Sequence, residues 1–257
     1  MRRALLWVMA GLLTASVTAL ASAPAAWLVP LIDRQTGGRF ALADVQGSLW
    51  RGSAIIGAAA ARDEPLAPLL PGRCAWQISP MVLLGRLDIQ FENPSVTPQA
   101  ITIRGDWSRW EIGPGSFSLP ADGLSALGAP LNTIQPAGTM RASWPLLQVV
   151  REGRDVKVTG KLQIDLTQMV SALSPVKPLG AYRLRIDFQG DSSKLDLQSL
   201  SGPLLLTGQG EIVRGALRFS GQASAQEGEE NQLAALMNLL GQRRQVGNQN
   251  IVALEFQ

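Results

Sequence analysis

The sequence contains no histidine, one cysteine and one tyrosine among its 257 residues. Without histidine the chain cannot build a Ser-His-Asp or Cys-His catalytic centre, or a histidine-ligated zinc or haem site. The single cysteine, Cys74, excludes an intramolecular disulfide and a thiolate metal cluster. We therefore expect no catalytic residue, no metal and no cofactor, and the protein is predicted not to be an enzyme.

Charge is also scarce, since charged residues make up 17% of the chain and hydrophobic residues 46%. The formal net charge is only +3, and two of the basic residues, Arg2 and Arg3, precede the first apolar segment. No basic stripe with interleaved aromatic residues is present, so nucleic acid is not an expected partner. A small-molecule substrate is not expected either.

The N-terminal segment follows these two arginines with an apolar run from Ala4 to about Ala23. About 20 such residues are enough to cross a bilayer as a helix. A cleaved signal peptide is the alternative, with Ala21-Ser22-Ala23 as an A-x-A-like cleavage site. Retention is favoured because the apolar run continues to Ile32 and includes Trp27, a residue type enriched at membrane interfaces.

The sequence therefore predicts a membrane anchor at residues 1–32 and an exported, β-rich domain at residues 33–257. The positive-inside rule keeps the two N-terminal arginines in the cytoplasm. In a bacterium with two membranes, the protein would be a single-pass inner-membrane protein with a cytoplasmic N-terminus and a periplasmic body. The inner-membrane lipid bilayer would be one of its partners.

After this segment the dominant signal is strict alternation of apolar and polar residues, as in "DVKVTGKLQIDL" and "YRLRIDF". Alternation over short runs bounded by glycine, proline, asparagine and serine predicts half-buried antiparallel strands. The 26 glycines and 16 prolines divide the chain into about ten such strands. Nothing resembles a βαβ unit, so a parallel sheet is not expected.

Two helices interrupt the predicted strands, a short one near Asp122–Leu127 and a longer one at about Glu229–Leu240. The longer helix has one apolar stripe, formed by Leu233, Leu236, Met237 and Leu240. Gly241 follows as a candidate C′ cap. The predicted fold is mainly β, an elongated curved antiparallel sheet with a helix packed on it near the C-terminus, plus one N-terminal transmembrane helix.

Five tryptophans occupy strand or strand-end positions beyond the N-terminal segment, and they are the candidate interface or groove residues: Trp50, Trp76, Trp107, Trp110 and Trp144. In one interpretation they are anchors that line a groove for an apolar partner. In the other they are large core residues whose indole N–H groups find hydrogen-bond acceptors at the rim. The sequence leaves both interpretations open.

The first of these tryptophans lies in the glycine-framed stretch Gln46–Gly52, "QGSLWRG". The two glycines allow tight turns or bulges at both ends of a short strand. In such a strand Leu49 and Trp50 would point to opposite faces, one into the core and one toward a sheet edge or a partner. We expect Trp50→Ala to destabilise the exported domain.

Two further positions have chemical potential. Cys74 alternates with Trp76 in "CAWQI" and is predicted to be a buried, inert thiol. Asp106 and Glu111 lie on the hairpin "GDWSRWEIG", where paired carboxylates beside tryptophans would suit a glycan-binding or hydrolytic cleft. Charges at sheet edges are common for solubility alone, however.

Several motifs in order resemble a known family: "ADVQGSLWRG", "CAWQISPMVLLGRLDIQF", "LGAYRLRIDFQG", "LQSLSGPLLLTGQGEI" and "ENQLAALMNLLGQ". Together with the N-terminal segment they resemble the type II secretion system protein N family, accessory inner-membrane components of the bacterial general secretion machinery. The resemblance implies a periplasmic body on a short cytoplasmic end and other secretion-system components as partners. It supplies no catalytic residue.

The glycine-leucine-tryptophan-glycine element is also similar to segments of AsmA-type β-rich envelope proteins. That second resemblance implies an alternative function, a periplasmic carrier of lipid or another hydrophobic ligand along an apolar groove. The preferred prediction is a structural or assembly role in export of folded proteins across the outer membrane.

Overall fold

The computed structural model describes residues 2–37, 40–58, 67–68, 70–127, 131–153, 155–213, 216–246 and 249–256. Strands account for 58% of the chain, which confirms the mainly β prediction. The chain divides into two compact units, Met1–Ser95 (unit 1) and Val96–Gln257 (unit 2). From the sequence a boundary is predicted only at residue 32, and that anchor boundary stays a prediction.

Unit 1 contains, in its described part, the helices α1 (Arg2–Ala21) and α2 (Leu28–Thr36) and the 3-10 helices Ala25–Trp27 and Pro80–Leu84. Its strands are β1 (Phe40–Gly47), β2 (Arg51–Ala58), β3 (Ala67–Pro68), β4 (Cys74–Ile78) and β5 (Arg86–Glu92). Strand β1 pairs with β2, β2 with both β3 and β4, and β4 with β5. Each of these pairings is antiparallel, as the alternation predicted.

The apolar N-terminal run forms helix α1, and its side chains Trp7, Met9 and Leu12 are exposed. A membrane-spanning helix was expected here, and the structure does not support that expectation. Among the residues it describes, none of the helices combines the length and the apolar character needed to traverse a bilayer. Membrane attachment therefore stays a prediction from the sequence and from the resemblance.

Unit 2 is built from twelve strands within its described residues, which are β6 (Ile101–Asp106), β7 (Arg109–Ile112), β8 (Gly115–Pro120), β9 (Pro136–Trp144), β10 (Leu147–Glu152), β11 (Asp155–Ser171), β12 (Gly180–Gly190), β13 (Ser192–Ser201), β14 (Leu204–Val213), β15 (Ala216–Ala225), β16 (Gln242–Val246) and β17 (Gln249–Phe256). Its helices are the 3-10 helix Ala121–Leu127, α3 (Leu131–Ile134) and α4 (Glu230–Leu240).

The strands of unit 2 pair in the antiparallel order β8–β9–β11–β12–β13–β14–β15–β17–β16. Strand β11 is 17 residues long, and its first part also pairs with β10. Strand β10 in turn pairs with β7, and β7 pairs with β6. A bulge between Leu166 and Met169 separates the parts of β11, and Gln168 adopts φ 50° there.

The whole chain has 17 strands in its described residues, more than the roughly ten expected from the pattern. The difference has a physical reason. Strands such as β3 and β7 span two and four residues, which is too short for alternation to be recognised. Their pairing depends on neighbouring strands rather than on their own sequence.

Helix α4 covers part of the apolar face of unit 2. Its buried residues Leu233, Leu236 and Met237 confirm the predicted stripe. They pack into one core cluster with residues of the sheet, including Leu204, Ala223, Val252 and Leu254. The helix begins at Glu230, one residue after the predicted start.

The end of α4 differs from the prediction. Gly241 has φ 166°, which is extended backbone and not the left-handed conformation of a C′ cap. Glycine is required there because a Cβ would collide with the carbonyl oxygen of Ala253 on β17. The predicted short helix is present as the 3-10 helix Ala121–Leu127, and Ala121 packs with Met169 and Tyr182 in a second core cluster.

Candidate functional site

The stretch around Trp50 is a turn between β1 and β2, so the prediction of a short strand there is wrong. Gly47 has φ 85°, and a Cβ at this position would collide with the carbonyl oxygen of Arg51. The Ser48 N–H donates to that same carbonyl (2.9 Å) and closes the turn. Leu49 and Trp50 therefore do not alternate across a strand.

The turn contacts the C-terminal end of α1 instead. Trp50 Nε1–H donates to the carbonyl oxygen of Leu20 (2.9 Å), and the Leu49 N–H donates to the carbonyl of Ala23 (2.8 Å). Ala23 and Ala25 are completely covered. The glycine-framed element thus fixes the segment that follows α1 onto the sheet of unit 1.

Trp76 and Trp144 share one local arrangement. Each lies directly opposite a glycine on the neighbouring strand, Gly52 for Trp76 and Gly115 for Trp144. A Cβ on Gly52 would lie 2.5 Å from the Trp76 ring, and a Cβ on Gly115 would lie 2.6 Å from the Trp144 ring. The indole ring therefore lies flat over the glycine backbone, and glycine at this register position is what makes room for it.

Both indoles also find a backbone acceptor, as a half-buried tryptophan requires. Trp76 Nε1–H donates to the carbonyl of Leu49 (3.1 Å), and Trp144 Nε1–H donates to the carbonyl of Gly113 (2.8 Å). Trp144 also meets Phe117 edge to face, with ring centroids 6.0 Å apart. Sequence reasoning missed these pairs, because the register between strands decides which glycine faces which tryptophan.

Trp107 and Trp110 lie on the β6–β7 hairpin of unit 2. Trp107 is 61% exposed at the turn, whereas Trp110 is half-buried and pairs with Gly105. The five candidate tryptophans are thus divided between the two units. Their assignment as interface residues stays a prediction.

The two carboxylates of this hairpin have separate structural partners. Asp106 Oδ1 accepts hydrogen bonds from Ser108 Oγ, the Ser108 N–H and the Arg109 N–H, and these bonds lower the pKa of Asp106 below its ordinary value. Glu111 Oε1 accepts from Gln148 on β10 (3.1 Å). Asp106 closes the turn and Glu111 joins two strands, so the geometry gives the glycan-cleft interpretation no support.

Cys74 is buried, as predicted, and its Sγ accepts a hydrogen bond from Asn93 Nδ2 (3.2 Å). Burial raises the pKa of the thiol, and the Asn93 hydrogen bond opposes this only in part. Within the described residues, no group of three or more acidic or cysteine side chains is placed to hold a metal ion.

A groove of about 1190 Å³ lies along the sheet of unit 2. One row of facing residues crosses six strands and forms its floor, namely Trp144, Leu162, Ile186, Leu195, Gly210 and Phe219. Phe219 and the α4 contact Ala223 lie on the same face of β15, since they are four residues apart. The groove is therefore the part of this face that adjoins the area covered by α4.

Glycines shape one end of this groove. A Cβ at Gly208 would collide with the Phe219 ring, and Cβ atoms at Gly210 and Gly221 would lie 3.0 Å and 2.9 Å from it. The phenyl ring consequently lies low over three strand glycines. Of the five candidate tryptophans, Trp144 is the one that lines the groove.

Charged residues alternate along the strands with the apolar row of the groove. Four basic and four acidic residues take part in its lining, namely Lys161, Arg185, Lys194 and Arg218, with Asp187, Asp196, Glu211 and Glu255. Across five strands the register places opposite signs side by side, as in the Lys194–Glu211 and Glu211–Arg218 pairs. Such cross-strand pairs stabilise the register, and their side chains point to the face opposite Leu162, Ile186 and Leu195.

A partly buried ion pair lies on strands β11 and β12. Arg183 Nε donates to Asp165 Oδ1 (2.6 Å), and Asp165 also faces Arg141 across the β9 pairing. Burial alone would raise the pKa of Asp165, but the hydrogen bonds from Arg183 and Gln163 lower it below its ordinary value. The carboxylate is thus a charged structural group of the sheet.

The structure is thus that of a protein with two antiparallel β units, one of which has a groove with an apolar row of side chains. The family described as "Type II secretion system (T2SS), protein N" matches residues 38–252. The chain belongs to this family, and the match extends over most of both units. No curated protein and no solved structure matches the chain.

Proposed function

We propose that the protein is an accessory, non-enzymatic inner-membrane component of the type II secretion system, with a structural role in assembling the export apparatus for folded proteins. The family match over residues 38–252 carries this proposal. The side-chain chemistry supports it, because the carboxylates of the tryptophan hairpin and of the β11–β12 pair are engaged in turns and strand pairing.

The membrane location and topology belong to the same proposal. Helix α1 begins with Arg2 and Arg3 and continues as an apolar helix with exposed large side chains. Under the positive-inside rule this arrangement puts the N-terminus in the cytoplasm and the two β units in the periplasm.

The groove of unit 2 is the surface we assign to another secretion-system component. Its row of apolar side chains suits an uncharged, apolar segment of a protein partner. Half-buried apolar side chains, in a row that crosses six strands, provide a continuous contact surface rather than a pocket for a polar substrate.

Site-specific photocrosslinking in cells tests this assignment. A photoreactive amino acid at Leu195, on the groove floor, should give an adduct with a secretion-system subunit. The matched control is Thr207 on β14, which is exposed and lies beside Gln198, on the opposite face of the sheet from Leu195. A phospholipid adduct at Leu195 without any protein adduct would contradict the assignment and favour the lipid-carrier alternative.

A further inference from the structure

An exposed apolar helix in unit 1 has no role in the core. The 3-10 helix Pro80–Leu84 has the sequence "PMVLL", and Met81, Leu83 and Leu84 are 49%, 55% and 78% exposed. Three neighbouring exposed side chains of this size are a contiguous apolar surface, which soluble surfaces generally avoid.

The backbone holds this helix in a defined conformation. At its start, Ser79 Oγ accepts a hydrogen bond from the Met81 N–H (3.3 Å). At its end, Gly85 adopts the left-handed conformation (φ 87°), and its N–H donates to the carbonyls of Met81 and Val82. Caps at both ends satisfy the terminal backbone groups. The apolar side chains are therefore presented on an ordered element and not on an irregular loop.

The helix lies beside the C-terminal end of α1. A cavity of about 700 Å³ is lined by Leu20 and Ala21 from α1 and by Pro80 and Leu83 from the 3-10 helix. Trp50 also lines this cavity and joins the two elements. Its Nε1–H donates to the Leu20 carbonyl, and its own carbonyl accepts from the N–H of Ile78, two residues before Pro80 (2.7 Å).

Two arginines accompany the apolar surface. Arg51 lines the same cavity, and Arg86 follows Leu84 by two residues at the start of β5; both are exposed. One acidic residue, Asp88, also lines the cavity, so the two positive charges outnumber one negative charge here. Exposed apolar residues next to basic ones match the boundary between the acyl chains and the anionic headgroups of a bilayer.

We propose that the Pro80–Leu84 helix is a membrane-surface contact that binds anionic phospholipid. Met81, Leu83 and Leu84 enter the boundary between headgroups and acyl chains, and Arg51 and Arg86 lie at the phosphates. This inference rests on the proposed membrane attachment, because the apolar helix α1 brings its own C-terminal end, and with it the 3-10 helix, to the bilayer. The contact lies on the surface and requires no spanning element.

Depth-dependent quenching on the full-length protein tests the contact. The protein is reconstituted into vesicles of phosphatidylethanolamine and phosphatidylglycerol, and Leu84→Cys carries an environment-sensitive fluorophore. The native Cys74 is buried and stays unlabelled in the folded protein. The matched control is Glu92→Cys, exposed at the other end of β5 and about 20 Å along the strand from Arg86.

We expect the fluorescence emission of the label at residue 84 to be blue-shifted and to be quenched by spin-labelled lipid. The label at residue 92 should instead be quenched by aqueous iodide. Omitting phosphatidylglycerol, or replacing Arg86 by Gln, should reduce the lipid quenching at residue 84. Lipid quenching that is insensitive to both changes would contradict the headgroup assignment.

A third label at Leu12→Cys on α1 separates the two proposals. If residue 12 is quenched by lipid and residue 84 only by iodide, the helix contact is wrong while membrane attachment holds. If both are quenched only by iodide, the proposed membrane attachment fails and the contact fails with it. A label at residue 84 that is shielded from both quenchers indicates a protein contact, such as a second copy of the chain, and overturns the lipid proposal.

Discussion

Replacing Gly115 by alanine should destabilise unit 2 through one contact, with the indole of Trp144. A Cβ at residue 115 would lie 2.6 Å from Cζ2 and 3.0 Å from Cε2 of that ring, and the three nearest heavy atoms all belong to it. The backbone of Gly115 lies outside the left-handed region, so the new methyl group causes no strain in φ. The clash can be relieved only if the ring moves.

The cost of this movement follows from what holds the ring. Overpacking of this kind costs about 1–3 kcal/mol. Displacing the indole also weakens its 2.8 Å hydrogen bond to the Gly113 carbonyl, worth about 1 kcal/mol. It disturbs the edge-to-face contact with Phe117 as well, worth about 0.5–1.5 kcal/mol. Alanine in a strand returns about 0.5–1 kcal/mol relative to glycine, so we expect a net loss of about 1.5–5 kcal/mol.

A double-mutant cycle isolates this contact. Urea unfolding of the full-length protein in detergent, followed by circular dichroism, gives the free energy of unfolding for Gly115→Ala, Trp144→Val and the double variant. Without the indole, Gly115→Ala should cost nothing or stabilise by up to about 1 kcal/mol. Gly123→Ala is the control, because no atom lies within 4 Å of its added Cβ, and it should stay within about 0.5 kcal/mol of wild type. An equal cost of Gly115→Ala with and without Trp144 would refute the reasoning.

Three further predictions concern the Asp165 ion pair, the packing of α4 and the burial of Cys74. Asp165→Asn should lower the free energy of unfolding by about 1 kcal/mol, because it weakens the ion pair with Arg183. Since the pKa of Asp165 is lowered in the folded protein, the stabilisation by its carboxylate is present above about pH 4 and is lost as the pH falls through the folded pKa. Urea titrations of wild type and variant should therefore give converging stabilities in acid. In thermal unfolding, Leu236→Ala at a buried position of α4 should lower the stability by about 2–5 kcal/mol. Leu239→Ala at an exposed position of the same helix should lower it by less than about 0.5 kcal/mol. Equal losses of stability would contradict the packing of α4. Cys74 should resist iodoacetamide in the folded protein at mildly alkaline pH and react after denaturation, because burial raises its pKa; rapid native labelling detected by mass spectrometry would contradict its burial.

The sequence predicts well those features that depend on local periodicity. Alternation identified strands such as β11 and β12 and their apolar faces, since successive side chains of a strand point to opposite sides. The stripe Leu233–Leu236–Met237 predicted α4 for the same reason. In both cases the signal lies within one element and needs no knowledge of its neighbours.

The features that the sequence did not predict depend on register and on contacts between distant residues. The groove floor is a row across six strands, and the bulge around Gln168 shifts the register between β11 and β12 in a way that no short pattern reveals. The two glycines around Trp50 indicated a short strand, whereas Gly47 closes a turn. The acceptor of the Trp50 indole, the Leu20 carbonyl, is 30 residues away along the chain and has no local signal.

The proposed assembly role is tested most directly by isolating the full-length protein from its native membrane in mild detergent and identifying what is bound by native mass spectrometry. The proposal predicts complexes with other type II secretion subunits, weakened by a charged substitution at Leu195 on the groove floor and unaffected by the same substitution at the exposed Leu239. Stoichiometric lipid on the protein with no secretion subunit bound would contradict it.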